Sequence, residues 1–213
     1  MAVFIVGISV SMAHASVSLN FVGLQNLEPV ENYYNGGLGG LGSGPGPNYG
    51  IVFGPDSLAI INAASGGTGN TLNEPGGGNT CLFFLSGPGD VMDVAAGFTT
   101  GFSFYYAAPI YPGSVTVWSG LDGTGTLLAT LSLGLTPDGL SLYGYDYSIW
   151  QAVGVSFPGI AESAIFSGTA NYIAFADVTL GAASPSVPEP ATLLLLGSGL
   201  VGLAALKKRF QKA

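Results

Sequence analysis

Residues 150–180 read WQAVGVSFPGIAESAIFSGTANYIAFADVTL. Ala152 and Gly154 alternate with Val153, Val155 and Phe157, and Pro158 and Gly159 then close the run. A period of two places successive side chains on opposite faces of a strand, so the pattern predicts a half-buried strand over 150–157. Two further apolar runs follow at 162–167 and 171–180, and breaks this short between such runs predict consecutive strands.

The same grammar extends over the rest of the chain. In Ser114–Trp118, Val115 and Val117 face opposite to Ser114, Thr116 and Trp118. Between Gly, Pro, Asn and Asp punctuation, strands are also predicted at 17–24, 51–53, 58–62, 81–85, 101–106 and 126–133. Among 213 residues, 35 are glycine and 13 proline, a composition that disfavours long helices, and no interval of the middle region has an amphipathic helical period. The expected fold is all-β: a two-sheet β-sandwich over 16–182, with a jelly-roll order first and an immunoglobulin-like order second. The cysteine pair of antibody domains is absent, because Cys81 is alone. Its neighbours Leu82, Phe83, Phe84 and Leu85 predict a buried thiol packed as a small hydrophobe.

Charge excludes more than it suggests. The net charge is −8, and all four basic side chains, Lys207, Lys208, Arg209 and Lys212, lie in the last seven residues. The one histidine, His14, falls in a segment expected to be removed. The middle region therefore lacks the cations that nucleic-acid binding requires, and it has no His base, arginine finger or phosphate-binding lysine.

Residues 2–13, AVFIVGISVSMA, form an apolar run followed by Ala13, His14 and Ala15, an A-x-A arrangement that predicts a signal peptide over 1–15. At the other end, Pro188, Glu189 and Pro190 stand in a linker at 183–190. A charge-free apolar run at 191–206 and the basic tail at 207–213 follow. Sixteen residues of helix span about 24 Å, and snorkelling lysines and local thinning can close the gap to a ~30 Å hydrocarbon core. A single transmembrane helix is expected, with Lys207, Lys208, Arg209 and Lys212 as its stop signal on the cytoplasmic side.

These parts, in this order from Val187 to Lys212, resemble the PEP-CTERM sorting signal of exopolysaccharide-producing Gram-negative bacteria. Phe210 and Gln211 interrupt the basic run but leave the order of parts intact. The resemblance implies that an exosortase, a membrane-embedded protease, recognises Pro188, Glu189 and Pro190. A precursor tethered in the inner membrane would then pass to the cell surface or medium. Two prolines around Glu189 bar a continuous helix there and hold the segment extended for a protease.

A looser resemblance covers Trp150 to Leu180. Trp150 opening a strand, Phe157-Pro158-Gly159 closing it, and a last strand through Ala176, Asp177 and Val178 are similar to the end of jelly-roll domains in carbohydrate-binding modules. That resemblance implies a structural calcium, with Glu28 or Glu31 and Asp177 as its acids; no other cofactor is expected.

Gly37, Gly39 and Gly42 satisfy G-x-G-x-x-G, yet Pro45 and Pro47 stand where a helix should start, so the stretch reads as a flexible loop. Tyr143, Tyr145 and Tyr147 alternate with Gly144, Asp146 and Ser148. On a strand they would line one face, where phenol rings can stack on sugars and donate hydrogen bonds, which makes them the carbohydrate-contact candidates. The expected function is that of an exported, non-catalytic surface or matrix protein with a structural or adhesive role linked to exopolysaccharide. The alternatives are a carbohydrate-binding module with a defined groove and, less favoured, a secreted glycosidase using two of Asp90, Asp93, Asp122, Asp138, Asp146 and Glu162.

Overall fold

Strands form at each of the ten runs read from the sequence and at two further places. In chain order they are β1 (Val17–Leu19), β2 (Glu28–Pro29), β3 (Ile51–Phe53), β4 (Leu58–Ile61), β5 (Thr80–Phe83) and β6 (Gly89–Phe98). They continue as β7 (Phe102–Ala107), β8 (Gly113–Trp118), β9 (Leu127–Leu133), β10 (Gln151–Val155), β11 (Ala161–Ser167) and β12 (Ala174–Leu180). The computed structural model describes residues 16–87 and 89–185. The leader expected at 1–15, Pro188-Glu189-Pro190, the helix expected at 191–206 and the tail with Lys207, Lys208, Arg209 and Lys212 lie outside the described residues. Among the described residues, no helix is long and apolar enough to cross a membrane.

Two antiparallel sheets pack face to face. The larger has the order β10-β7-β12-β5-β4-β2, and the smaller β3-β6-β11-β8-β9. Along β12, β5 pairs at Phe175, while β1 pairs with Val178 to Leu180. The chain crosses between the sheets repeatedly, from β3 to β4, β5 to β6, β6 to β7 and β7 to β8, and again before β10, β11 and β12. This is a jelly-roll-like sandwich.

The inner faces meet in a phenylalanine cluster. Phe102 and Phe104 come from β7, Phe175 from β12 and Phe166 from β11 of the opposite sheet. Phe166 lies 4.9 Å from Phe175, 5.7 Å from Phe104 and 5.8 Å from Phe102 between ring centroids, all edge-on, the arrangement that the ring quadrupole favours. All four rings are fully buried.

The outer face of the larger sheet is covered as well. Small side chains there, Cys81, Ala174 and Ala176, let Ile60 and Trp150 pack on the sheet. The segments 62–79 and 134–150 fold over it: the Trp150 indole N–H donates to the Leu72 carbonyl at 2.9 Å, and the Tyr147 amide to the Asn70 carbonyl at 3.1 Å. Cys81 is buried as expected, and burial, reinforced by the Glu74 charge, raises its pKa and keeps the thiol protonated.

A described region with eleven carboxylates and no cationic side chain must satisfy its acids with amides and hydroxyls. Glu28 is fully buried; its Oε1 accepts from the Leu41 and Ser43 amides at 2.9 Å each, and its Oε2 from the Gln25 amide at 2.6 Å. Burial acts to raise its pKa, but the Ser43 side chain and the three amides outweigh that and hold the carboxyl below its ordinary value. The glycine-rich stretch read as a loop is a loop, and it wraps around this carboxylate. Its amides cradle an anion, and the anion is the protein's own. A Cβ on Gly39 would stand 2.5 Å from Glu28 Oε1, so glycine is needed for the close approach. Glu74 is held likewise, accepting from the Asn62 amide group at 2.8 Å and the Thr71 hydroxyl at 2.5 Å.

Asp90 is the exception. It points inward from β6, fully buried beside the equally buried Ser57 hydroxyl, and among the described residues neither carboxyl oxygen has a hydrogen-bond partner of good geometry. Burial raises its pKa well above the ordinary range, only partly offset by Ser57, and the charge of Asp56 adds to the rise.

Candidate functional site

A cleft of about 280 Å³ opens on the outer face of the larger sheet. Its floor is Ile60, Phe83 and Ala174, and its walls are 68–71, Asp146 with Tyr147, and 171–173. The sequence builds it through a bridge between Thr71 and Tyr147, which brings residues far apart in the chain side by side. Asn70 and Asp146 hold one another: the Asn70 carboxamide donates to Asp146 Oδ2 at 2.8 Å, and the Asp146 amide donates to Asn70 Oδ1 at 3.2 Å. One Asp146 oxygen is thereby fixed, and the other has no hydrogen-bond partner among the described residues. On the opposite wall Asn171, in the left-handed conformation with φ 66, is tied by its amide to the Phe84 carbonyl at 2.8 Å. Tyr172 follows, 37% exposed, its ring edge-on to that of Tyr111 at 5.0 Å. Burial first, then the charges of Asp146 and Tyr172, push the Tyr147 phenol up to about 12, so it remains a hydrogen-bond donor at neutral pH.

The three tyrosines expected to share a strand face do not. Leu140–Tyr143 form a single helical turn ended by Gly144 at φ 79, and the chain then runs as a loop. Gly139, whose amide donates to the Asp146 carbonyl at 3.0 Å, closes that loop on itself and overrides the alternation. Tyr143 is exposed at 47%, Tyr145 half-buried, and only Tyr147 lines the cleft. Other aromatic residues serve structure: the Tyr34 hydroxyl accepts the Phe21 amide at 2.7 Å, and the Tyr33 hydroxyl donates to the Val22 carbonyl at 3.1 Å.

The acids suggested for calcium are not gathered. Glu28 is committed to three amides, Glu31 is half-buried at φ 43, and Asp177 is buried at φ 48 in the bulge where the β12–β7 register shifts. Among the described residues, no group of three or more His, Cys, Asp or Glu could hold a metal ion. Of the carboxylates suggested for a glycosidase, Asp146 alone lines the cleft among the described residues. Asp90 lies in the core, and Asp93 accepts the Asp122 amide at 2.9 Å.

Sequence reasoning missed Asn70, Asp146, Asn171 and Tyr172 as a group. A trace of them was present, since Asn171-Tyr172 begins a run read as strand and Asp146 sits within the tyrosine alternation.

Residues 186–209 match the PEP-CTERM protein-sorting motif. The motif implies an exported protein, anchored in the membrane before processing and sorted by an exosortase. No curated protein matches the chain. Among solved structures it is similar to CsCBM6-3 from Clostridium stercorarium in complex with cellobiose, at 18% identity and a TM-score of 0.36, over 63% of this chain and 85% of that one. It is similar to the K3 cleaved adhesin domain of Lys-gingipain from Porphyromonas gingivalis, at 16% identity and a TM-score of 0.34, over 60% and 92%. A third likeness is to a glycoside hydrolase family 43 arabinoxylan arabinofuranohydrolase from Bacillus subtilis. Identity there is 19% and the TM-score 0.34, over 50% of this chain but only 22% of that enzyme. Likenesses this distant carry no ligand or activity over to this chain.

Proposed function

We propose that this is an exported protein without catalytic activity, tethered by a helix at 191–206 until an exosortase-type protease acts at Pro188, Glu189 and Pro190. It then serves at the cell surface or in the extracellular matrix, in a structural or adhesive role linked to exopolysaccharide. The match of 186–209 to the sorting motif carries this reading. A span of lipid-compatible residues closed by Lys207, Lys208 and Arg209 supports it, because positive charge at that end favours a cytoplasmic C-terminus. The paired substitution Pro188→Ala and Pro190→Ala tests it in a host that has the protease. The variant should accumulate in the membrane fraction while the parent reaches the surface or medium. Equal release of both would overturn the reading.

A second reading, a carbohydrate-binding module with a defined groove, is favoured by one observation, the polar and aromatic cleft around Asp146 and Tyr172.

A further inference from the structure

We propose that the cleft formed by Asn70, Asp146, Tyr147, Asn171 and Tyr172 binds an uncharged oligosaccharide. This rests on the exopolysaccharide-linked reading above and adds to it a site and a class of sugar.

The first argument is the set of polar groups that the fold leaves open. Asp146 uses one carboxylate oxygen on Asn70, and among the described residues the other accepts no hydrogen bond. The Asn171 carboxamide and the Tyr147 hydroxyl make no hydrogen bond to any described residue, although both residues line the cleft. Together these acceptors and donors belong to residues that line one cleft of about 280 Å³, just below the usual range for small-ligand sites. A carboxylate oxygen accepts sugar hydroxyls, while a carboxamide and a phenol both donate and accept, which suits a ligand whose every ring carries several hydroxyls.

The second argument is the aromatic wall. Tyr172 lines the cleft and is 37% exposed, and its ring rests edge-on, at 5.0 Å, against that of Tyr111 outside the lining. An exposed, braced ring offers an apolar surface to the C–H face of a pyranose without paying much side-chain entropy. Ile110, 45% exposed, extends that apolar wall.

Charge then selects the class. The described residues include no lysine, arginine or histidine, and Asp146 stands in the cleft itself. A uronate, sulfate or phosphate group would meet that carboxylate with no counter-charge to offset the repulsion, so the acceptable sugar is neutral.

The test uses the exported protein and isothermal titration against gluco-, manno- and xylohexaose, with oligogalacturonate as the acidic counterpart. At least one neutral hexaose should bind and oligogalacturonate should not. Asp146→Asn and Tyr172→Ala should each weaken binding by about tenfold or more, the change expected from roughly 1.4 kcal/mol of lost interaction. Tyr143→Ala, outside the cleft, should leave binding unchanged, and the unfolding midpoint of each variant shows that it is folded. Preference for oligogalacturonate, no binding to any of the neutral hexaoses, or binding indifferent to both cleft substitutions would overturn the proposal. None of these results bears on where the protein is exported, so failure of this site and failure of the sorting reading are separable.

Discussion

Glu28 Oε1 accepts the amide of Leu41 at 2.9 Å, thirteen residues further along the chain. That bond and its partner from Ser43 turn a glycine-rich stretch into a fixed structure around a buried anion. Glu28→Gln keeps the shape but leaves one oxygen where two were used, so an amide loses its acceptor. Urea unfolding should show a loss of about 1–3 kcal/mol, as for other hydrogen bonds to buried charged groups. Because the folded pKa is lowered, the stabilisation from Glu28 is present above the unfolded glutamate value and fades as pH falls through the folded one. A parent and variant that unfold at the same urea concentration at pH 7 would refute this role.

Asp90 should behave in the opposite sense. Its folded pKa is raised, so the folded state holds a proton that the unfolded chain has released, and stability is lost as pH rises towards the folded value. Asp90→Asn removes that dependence. The variant should be more stable than the parent at pH 8 and equal to it near pH 3. Thermal unfolding across that pH range measures the difference; parallel curves for parent and variant would contradict it.

Where side chains alternate, the fold was legible. All ten expected strands occur, with Val115 and Val117 of β8 buried as the alternation required. β6, ten residues long, was not foreseen, because Asp90 occupies an inward position and a bulge shifts the β11 register between Ala161 and Ser163. An acid on the core face and two glycines hide the period of two. β2 is two residues long and carries no period at all. The candidate site was less legible for a related reason. Tyr143, Tyr145 and Tyr147 do alternate, but the Gly139 and Asp146 backbones pair and curl the segment into a turn. Long-range partners such as Asn70 and Tyr172 reach the cleft through sheet topology, which local pattern does not encode.

Cys81 gives a direct probe of the covered outer face. The thiol is fully buried under the 62–79 segment and its pKa is raised. An aromatic disulfide reagent at pH 8 should leave the native protein unmodified for hours and react with it within minutes in 6 M guanidinium. Fast modification without denaturant would show that the segment does not seal the sheet.

Phe166 joins the two sheets through Phe102, Phe104 and Phe175. Phe166→Ala should cost about 3–5 kcal/mol in urea unfolding, and Phe166→Leu less, since it refills part of the cavity. A loss below about 1 kcal/mol for the alanine variant would mean that the rings do not bear the packing attributed to them.

The sorting reading is tested most directly by the intact mass of the protein taken from membrane and medium fractions, in hosts with and without the protease. The account predicts an exported chain that begins at Ser16 and, where the protease is present, lacks Lys207 to Ala213. Full-length chain recovered from the cytoplasm, with no dependence on the protease, would contradict it.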